Sequence, residues 1–591
     1  MINLITSQRD EIFSKNMENV LIPGLYHNFK KSNKNGKNLS GKIIYHWESK
    51  KKLKRDLKNI YLIYDKILNI LFKRLNLIHN KKFSKRYWEV LIWVWLYRFI
   101  IYYYDRWETV YNLKKNFKNK KILCKHVRFR EKDFIPRDTQ DWCTTSVMTD
   151  DWNHWVYSKI IEKNSTIKSI FINKLKKKPK KVFNYQKFFQ KNLVKSILNI
   201  FLKFFQNKKI FAQNLSFSNK APFRLKFFFK KMNSIDQDIF WSFKQNIKIN
   251  ERNFLSQKEN SLNSSFEKFL VSQIKYNFPT IFLENYKKGL SKIDRQKLPT
   301  KPKLIITSLD DMFNEPFKFY VAKNIMNDTK LFHLQHGGSY GLSDDYPVEK
   351  MQIKLSDKFF SWGWQDKSNK IIPNFCQKTL GINIRQTKQS KGLLIPIFEF
   401  SLYPGHIAGG RPRTIYEIDR YIKNLKVFFS SLRDDIKEDS AFKYLDLKKI
   451  YPNYVLESLK SKFKKTVFFS SKKQACLFLK KYKLNIETVN STGYLESLNL
   501  NLPTIVIFDK SYCGIRKKSL KYFKLLKEAK ILFYDPNEAA RFVNKNYNNI
   551  DEWWNSKKVQ VSVKKFVNKF ARSTDNPYTF LEKLKIQIQK N

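Results

Sequence analysis

From Pro302 onward, short apolar runs ending in small polar residues alternate with helical stretches, and this alternation constrains the fold more than any other feature of the chain. Lys303-Leu-Ile-Ile-Thr-Ser308 is the first such run. A helix is expected over Phe317–Met326, a strand over Lys330–Gln335, and Phe359-Phe-Ser-Trp-Gly-Trp364 ends the unit. A second unit opens at Lys391-Gly-Leu-Leu-Ile-Pro-Ile397, followed by a helix at Tyr416–Lys437. Strands are expected at Thr466–Phe469, Ile486–Val489, Pro503–Phe508 and Ile531–Phe533, with helices at Ser471–Tyr482, Tyr494–Asn499 and Lys518–Ala529 between them. Parallel strands need crossovers, so the pattern reads as α/β: two Rossmann-like halves with helices on both sheet faces. Ligands in such sheets bind beyond the carboxyl ends of the strands.

The preceding 300 residues read differently. Leu53–Leu77 and Tyr87–Asn112 carry apolar residues at helical spacing, and another helix begins at Asp151. Val90–Tyr104 is the most apolar stretch; Arg98 interrupts it, and it is short of the roughly 20 residues a bilayer span requires, so a buried helix is expected. Residues 163–235 hold 19 Lys/Arg and no acid. Lys187, Lys191, Lys195 and Lys203 recur in helical register opposite a broad apolar face, the pattern of a helix that lies on an anionic membrane or of a core helix with a lysine-bearing outer face. The expected organisation is a helical N-terminal region over 1–300, a first Rossmann-like half over 301–390, a second over 391–545, and closing helices over 546–591.

The whole chain carries a formal net charge of +64. Such an excess attracts polyanions, although Lys, Asn, Ile and Phe are also the residues of AT-rich codons. No zinc-finger, helix-turn-helix or RNA-binding signature accompanies the charge. The five cysteines are dispersed, which argues against a disulfide framework or a zinc site and fits a reducing compartment. The first ten residues lack the apolar core of a signal peptide, and a cytoplasmic protein, peripheral on the membrane, is expected. Neither a P-loop nor a G-x-S-x-G elbow occurs.

Two loops are placed to carry chemistry. In Phe332-His-Leu-Gln-His-Gly-Gly-Ser-Tyr-Gly341, Gly337 and Gly338 permit close backbone approach to a ligand, His336 is a candidate base or anion donor, and Gln335 and Tyr340 flank it. In Asn490-Ser-Thr-Gly493, Ser491 or Thr492 is expected to cap a helix whose start suits a phosphate, with Glu496 one turn in to accept ribose hydroxyls. Asp310, Asp311 and Glu315 follow a strand end and are candidate bases; Arg411 and Arg413, after Gly409-Gly410, are candidate phosphate clamps. Adjacent carboxylates alone define no metal site, so neither metal nor other cofactor is expected.

The runs FHLQHGGSYG, LSDKFFSWGWQD, STGYLESLNLNLPTIVIFD and YFKLLKEAKILFYDPNEAARFVNKNYNNIDEWWNSKKVQ, with YWEVLIWVWLYRFIIYYYDRW and DWNHWVYSKII near the N-terminus, resemble bacterial transferases encoded in O-antigen and surface-polysaccharide gene clusters. The resemblance implies a GT-B-like fold, two Rossmann-like domains facing a cleft, and is more distantly similar to CDP-glycerol glycerophosphotransferases and capsule Kdo transferases. It implies that Gln335, His336, Gly337 and Gly338 line the acceptor wall, and that Ser491, Thr492 and Glu496 hold the donor nucleotide. Three departures stand out: Gly493 replaces an expected second Thr, no arginine occurs in Tyr444–Tyr451, and 163–235 has no counterpart.

The function implied is metal-independent transfer of a sugar, an acidic nonulosonic or Kdo-like sugar on CMP, to a lipid-linked or polysaccharide acceptor. The alternatives are transfer of a polyol phosphate from a CDP-alcohol, and a non-enzymatic basic protein that binds polyanions.

Overall fold

A computed structural model describes residues 1–25, 43, 45–117, 120–172, 209–230, 235, 237–240, 242–296, 298–344, 346–387, 389–401, 403, 405, 407, 409–446 and 453–589. The fold is mixed α/β, and among the described residues the strands form three sheets, every one parallel throughout. The expected basic helix around Lys187–Lys203 lies outside the described residues.

The N-terminal region contains a sheet that the sequence pattern did not reveal. Strands β1 (Ile2–Ile5), β2 (Glu18–Leu21), β3 (Ile122–Val127) and β4 (Ile167–Ile172) lie in the order β2-β1-β3-β4. Between β2 and β3 run the two long helices that the spacing predicted, α1 (Lys50–His79) and α2 (Lys85–Tyr111). Ser49 and Ser84 start them by accepting hydrogen bonds from the Lys52 and Tyr87 amides. From Val90 to Tyr104 every residue of α2 except Arg98 is buried, as expected for a helix apolar on all sides. It packs against α1, against α3 (Asp150–Ile161) and α4 (Ser265–Asn277), and against α5 (Glu315–Ile325) of the next unit. Among the described residues no helix is long and apolar enough to cross a membrane.

The second sheet runs in sequence order: β5 (Ile210–Gln213), β6 (Leu304–Thr307), β7 (Lys330–Leu334), β8 (Lys358–Ser361) and β9 (Ile371–Pro373). Its first strand thus comes from well before residue 301, within the segment read as basic and helical. Helix α6 (Pro347–Leu355) lies between β7 and β8.

The third sheet comprises β10 (Leu393–Pro396), β11 (Ala441–Tyr444), β12 (Val467–Ser470), β13 (Leu484–Glu487), β14 (Thr504–Ile507) and β15 (Leu532–Phe533). Their order, β12-β11-β10-β13-β14-β15, is that of the doubly wound Rossmann sheet, and it reverses between β10 and β13. Helices α7 (Ile415–Ser430), α8 (Tyr454–Lys462), α9 (Thr492–Asn499), α10 (Leu520–Glu528), α11 (Pro536–Asn546) and α12 (Lys557–Phe570) complete this lobe. The helix expected over Ser471–Tyr482 is a single 3₁₀ turn at Ala475–Phe478, because that stretch packs Ala475, Cys476 and Leu479 into a small satellite core. The last helix, α13 (Thr579–Gln589), crosses back to the second sheet, where Phe580 packs on Phe360 and Phe375. The loops at the carboxyl ends of the second and third sheets meet, giving the GT-B-like arrangement. All five cysteines are buried and free.

Candidate functional site

The reversal of strand order opens a crevice between β10 and β13, the position at which doubly wound sheets take ligands. A cavity of about 430 Å³ lies there. Its lining comes from the loops after β10, β11 and β12, from the 411–413 segment, and from Glu487 and Gly493. Phe398, Phe400 and Tyr444 supply aromatic surface; Arg411, Lys443, Lys472 and Lys473 supply positive charge. Burial draws the Lys443 ammonium down from its usual range, and the nearby Glu487 and Glu496 carboxyls oppose the shift.

The Asn490–Gly493 loop is used otherwise than its sequence suggested. Ser491 stands at the start of α9, but its hydroxyl caps nothing and has no partner among the described residues. The space beneath the first turn belongs to the Glu487 carboxyl, which a Cβ at Gly493 would overlap. Thr492 instead accepts a 2.9 Å hydrogen bond from the Gly338 amide, and Ser339 Oγ donates to the Asn490 carbonyl at 2.8 Å. Asn490 is wholly buried, its Oδ1 accepting from Tyr494 and its Nδ2 donating to Ser343 at 3.3 Å. The two loops singled out in the sequence therefore hold the lobes together. Glu496 interacts with Gln474 of the cavity lining; burial raises its carboxyl, and Lys378 opposes that shift.

On the facing lobe the structure joins His336, Tyr340 and Asp311. Tyr340 donates to Gln352 Oε1 at 2.7 Å, and Gln352 Nε2 donates to Asp311 Oδ1 at 3.0 Å. His336 Nδ1 stands 2.8 Å from the Tyr340 hydroxyl, and the Ser308 backbone also interacts with the ring, favouring its protonated form. Burial, aided by Lys378, pushes the His336 imidazole down to about 4, so it is neutral at physiological pH. Lys378 acts on both His336 and Glu496 and so links the two walls of the site. Gln335 is buried under the loop, where its Oε1 accepts from the Trp362 amide and Trp364 Nε1.

The remaining acids separate. Asp310 accepts from Asn214 Nδ2 at 2.8 Å and from Asn314. Glu315 forms a buried 2.6 Å ion pair with Lys318 and accepts from the Thr139 amide, so it faces the N-terminal region. Arg413 is likewise committed to Glu417 at 2.8 Å, while Arg411 extends over Phe398. Sequence reading missed Lys378, Lys443 and Glu487; Glu487 fell second in the strand expected at Ile486–Val489, whereas the observed strand ends on it. Among the described residues, His46, Asp56 and Glu108 bring possible metal-ligand atoms together in the N-terminal region, but the Lys52 ammonium already bridges Asp56 and Glu108.

Fold and site together define a two-lobed α/β protein with a cavity lined by Arg411, Lys443, Lys472 and Lys473 at a topological switch point. The chain belongs to the LIC12162 family of transferases, whose profile matches residues 2–584. No curated protein matches it significantly. Among solved structures, the chain is similar to that of accessory secretory proteins 1, 2 and 3 of Streptococcus pneumoniae, with 10% identity and a TM-score of 0.30 over 52% of this chain and 58% of that one. It is also similar to the spinosyn rhamnosyltransferase SpnG complexed with spinosyn aglycone, at 10% identity and a TM-score of 0.27 over 51% of this chain and 81% of that one. The same enzyme complexed with thymidine diphosphate matches equally, over 79% of its chain. The chain thus spans 58% of the first of these structures.

Proposed function

We propose that this transferase moves a sugar from a nucleotide donor, held in the switch-point cavity, to a surface-polysaccharide acceptor that enters against the His336 wall. The observation that carries this reading is the cavity itself. Aromatic surface suits a nucleobase, while Lys443, Lys472, Lys473 and Arg411 suit a diphosphate or the joint carboxylate and phosphate of a CMP-linked acidic sugar. Positive side chains already in place stabilise charge on the leaving phosphate without reorganisation, the largest single contribution available to such a reaction. Neutral His336, held by Tyr340, Gln352 and Asp311, supplies the imidazole that receives the acceptor proton. The basic surface favours work beside an anionic membrane where lipid-linked acceptors are displayed.

Turnover with a nucleotide-sugar panel and mass analysis of the products test this reading. Transfer of a sugar without phosphorus supports it. Phosphorus in the product assigns polyol-phosphate transfer from a CDP-alcohol instead. Activity with UDP- or GDP-sugars and none with cytidine donors discards the CMP version.

A further inference from the structure

Glu487 ends β13 wholly buried. Asn485 Nδ2 reaches its Oε1 at 3.4 Å, a long bond, and Oε2 has no hydrogen-bond partner among the described residues. The carboxyl lies against the first turn of α9, where a Cβ at Gly493 would overlap Oε1 and stand 3.0 Å from Oε2. Gly493 does not have a positive φ, so its missing side chain serves space and not backbone conformation. Both residues line the cavity.

We propose that Glu487 is a donor-recognition residue, whose unpartnered Oε2 hydrogen-bonds an anionic oxygen of the bound ligand at the start of α9, and that Gly493 keeps that position open. This rests on the donor-cavity reading above and names the group that selects the ligand's anionic end. The charged and titratable groups around Glu487 are Glu496 and Tyr494 on α9, Lys443 on β11, Arg411 in the loop before α7, Tyr421 on α7 and Cys476 in the 3₁₀ turn. Burial, reinforced by Glu496, pushes Glu487 up to about 8 against the lowering effects of Asn485, Lys443 and Arg411. At neutral pH it is therefore a carboxylic acid and donates its proton to a phosphate or carboxylate oxygen flanked by Lys443 and Arg411. Above about pH 8 it becomes a carboxylate that repels the same oxygen.

The test is calorimetric titration of the full chain with CMP, CDP, UDP, GDP and ADP at pH 7 and pH 9. The protonated fraction falls from about 0.9 to about 0.1, so affinity for the best nucleotide is expected to drop about tenfold, with proton uptake on binding at pH 9. Glu487→Gln, which keeps an uncharged donor, is expected to bind with less than twofold change between the two pH values and with no such uptake. Lys443→Arg, charged throughout, retains the tenfold drop, and Gly493→Thr weakens binding at both. A pH-independent wild type, or a Glu487→Gln variant that follows the wild-type profile, overturns the proposal and leaves the donor cavity standing. Failure of wild type to bind any of the five nucleotides overturns both.

Discussion

The Gly338 amide donates to Thr492 Oγ1 at 2.9 Å, joining two residues 154 positions apart and locking the loop after β7 onto the start of α9. A Cβ at Gly338 would overlap the Ser491 carbonyl, which is backbone and cannot swing aside. Gly338→Val is expected to destabilise the protein by about 1–3 kcal/mol, the usual cost of overpacking. Urea unfolding measures this; an unchanged midpoint contradicts the close contact. Thr492→Val leaves the Gly338 N–H unpaired and is expected to lower stability by ~1–3 kcal/mol.

Glu315 and Asp311, four residues apart, are predicted to behave differently. Lys318→Met strands the Glu315 carboxylate in a buried site and is expected to cost about 3–5 kcal/mol, with most of the loss recovered in the Glu315→Gln/Lys318→Met double variant. Glu315→Gln alone is expected to retain transfer activity per folded molecule. Asp311→Asn, which disturbs the chain to His336 through Gln352 and Tyr340, is expected to reduce the turnover rate by at least tenfold while thermal stability changes little. Equal losses in both variants contradict this division.

Stability is predicted to peak near pH 6.5. Burial holds His79, His126 and His336 down to about 4 and His154 down to about 3, below the unfolded value near 6.5. Between those values the unfolded chain binds more protons, so stability is lost as pH falls. Glu487, pushed up to about 8, and Glu399, pushed up to about 7, act in the opposite sense. Their folded forms hold protons that the unfolded chain has released above about 4.5, so stability is lost as pH rises toward 8. Melting temperatures from pH 5 to 9 check the dome, and Glu487→Gln is expected to flatten its alkaline side.

Much of the two-lobed fold was legible because its elements are long or regularly alternating. Helices α1 and α2 announce themselves by apolar spacing over 30 and 27 residues, and most strands from Leu304 onward by their alternation with helices, whereas the short β9 and β11 were not foreseen. The N-terminal sheet was hidden. Ile2–Ile5 and Glu18–Leu21 are four-residue strands, and their partner Ile122–Val127 arrives only after the whole of α1 and α2, so no local period marks them. Strand β5 was masked by the surrounding lysines.

The site was legible in part. Sequence identified the loops at His336 and Ser491 as special, and in the structure Gly338 and Ser339 of the first bond Thr492 and Asn490 of the second across the lobe boundary. It could not show that Glu487, three residues before Asn490, occupies the space under α9. That depends on Gly493 being small and on Lys443 and Arg411 converging from other strands and loops. Long-range convergence of this kind leaves no trace in local spacing.

The most direct test of the donor cavity is a thermal-shift screen of wild type and Lys443→Met against CMP, CDP, UDP, GDP and ADP at two salt concentrations. A ligand at one hundred times its Kd stabilises by about 2.7 kcal/mol, which is readily seen as a rise in Tm. The account predicts a rise selective for one nucleotide, retained at high salt and lost in Lys443→Met. Equal shifts from all five that vanish with salt, or a selective shift that survives in Lys443→Met, would contradict it.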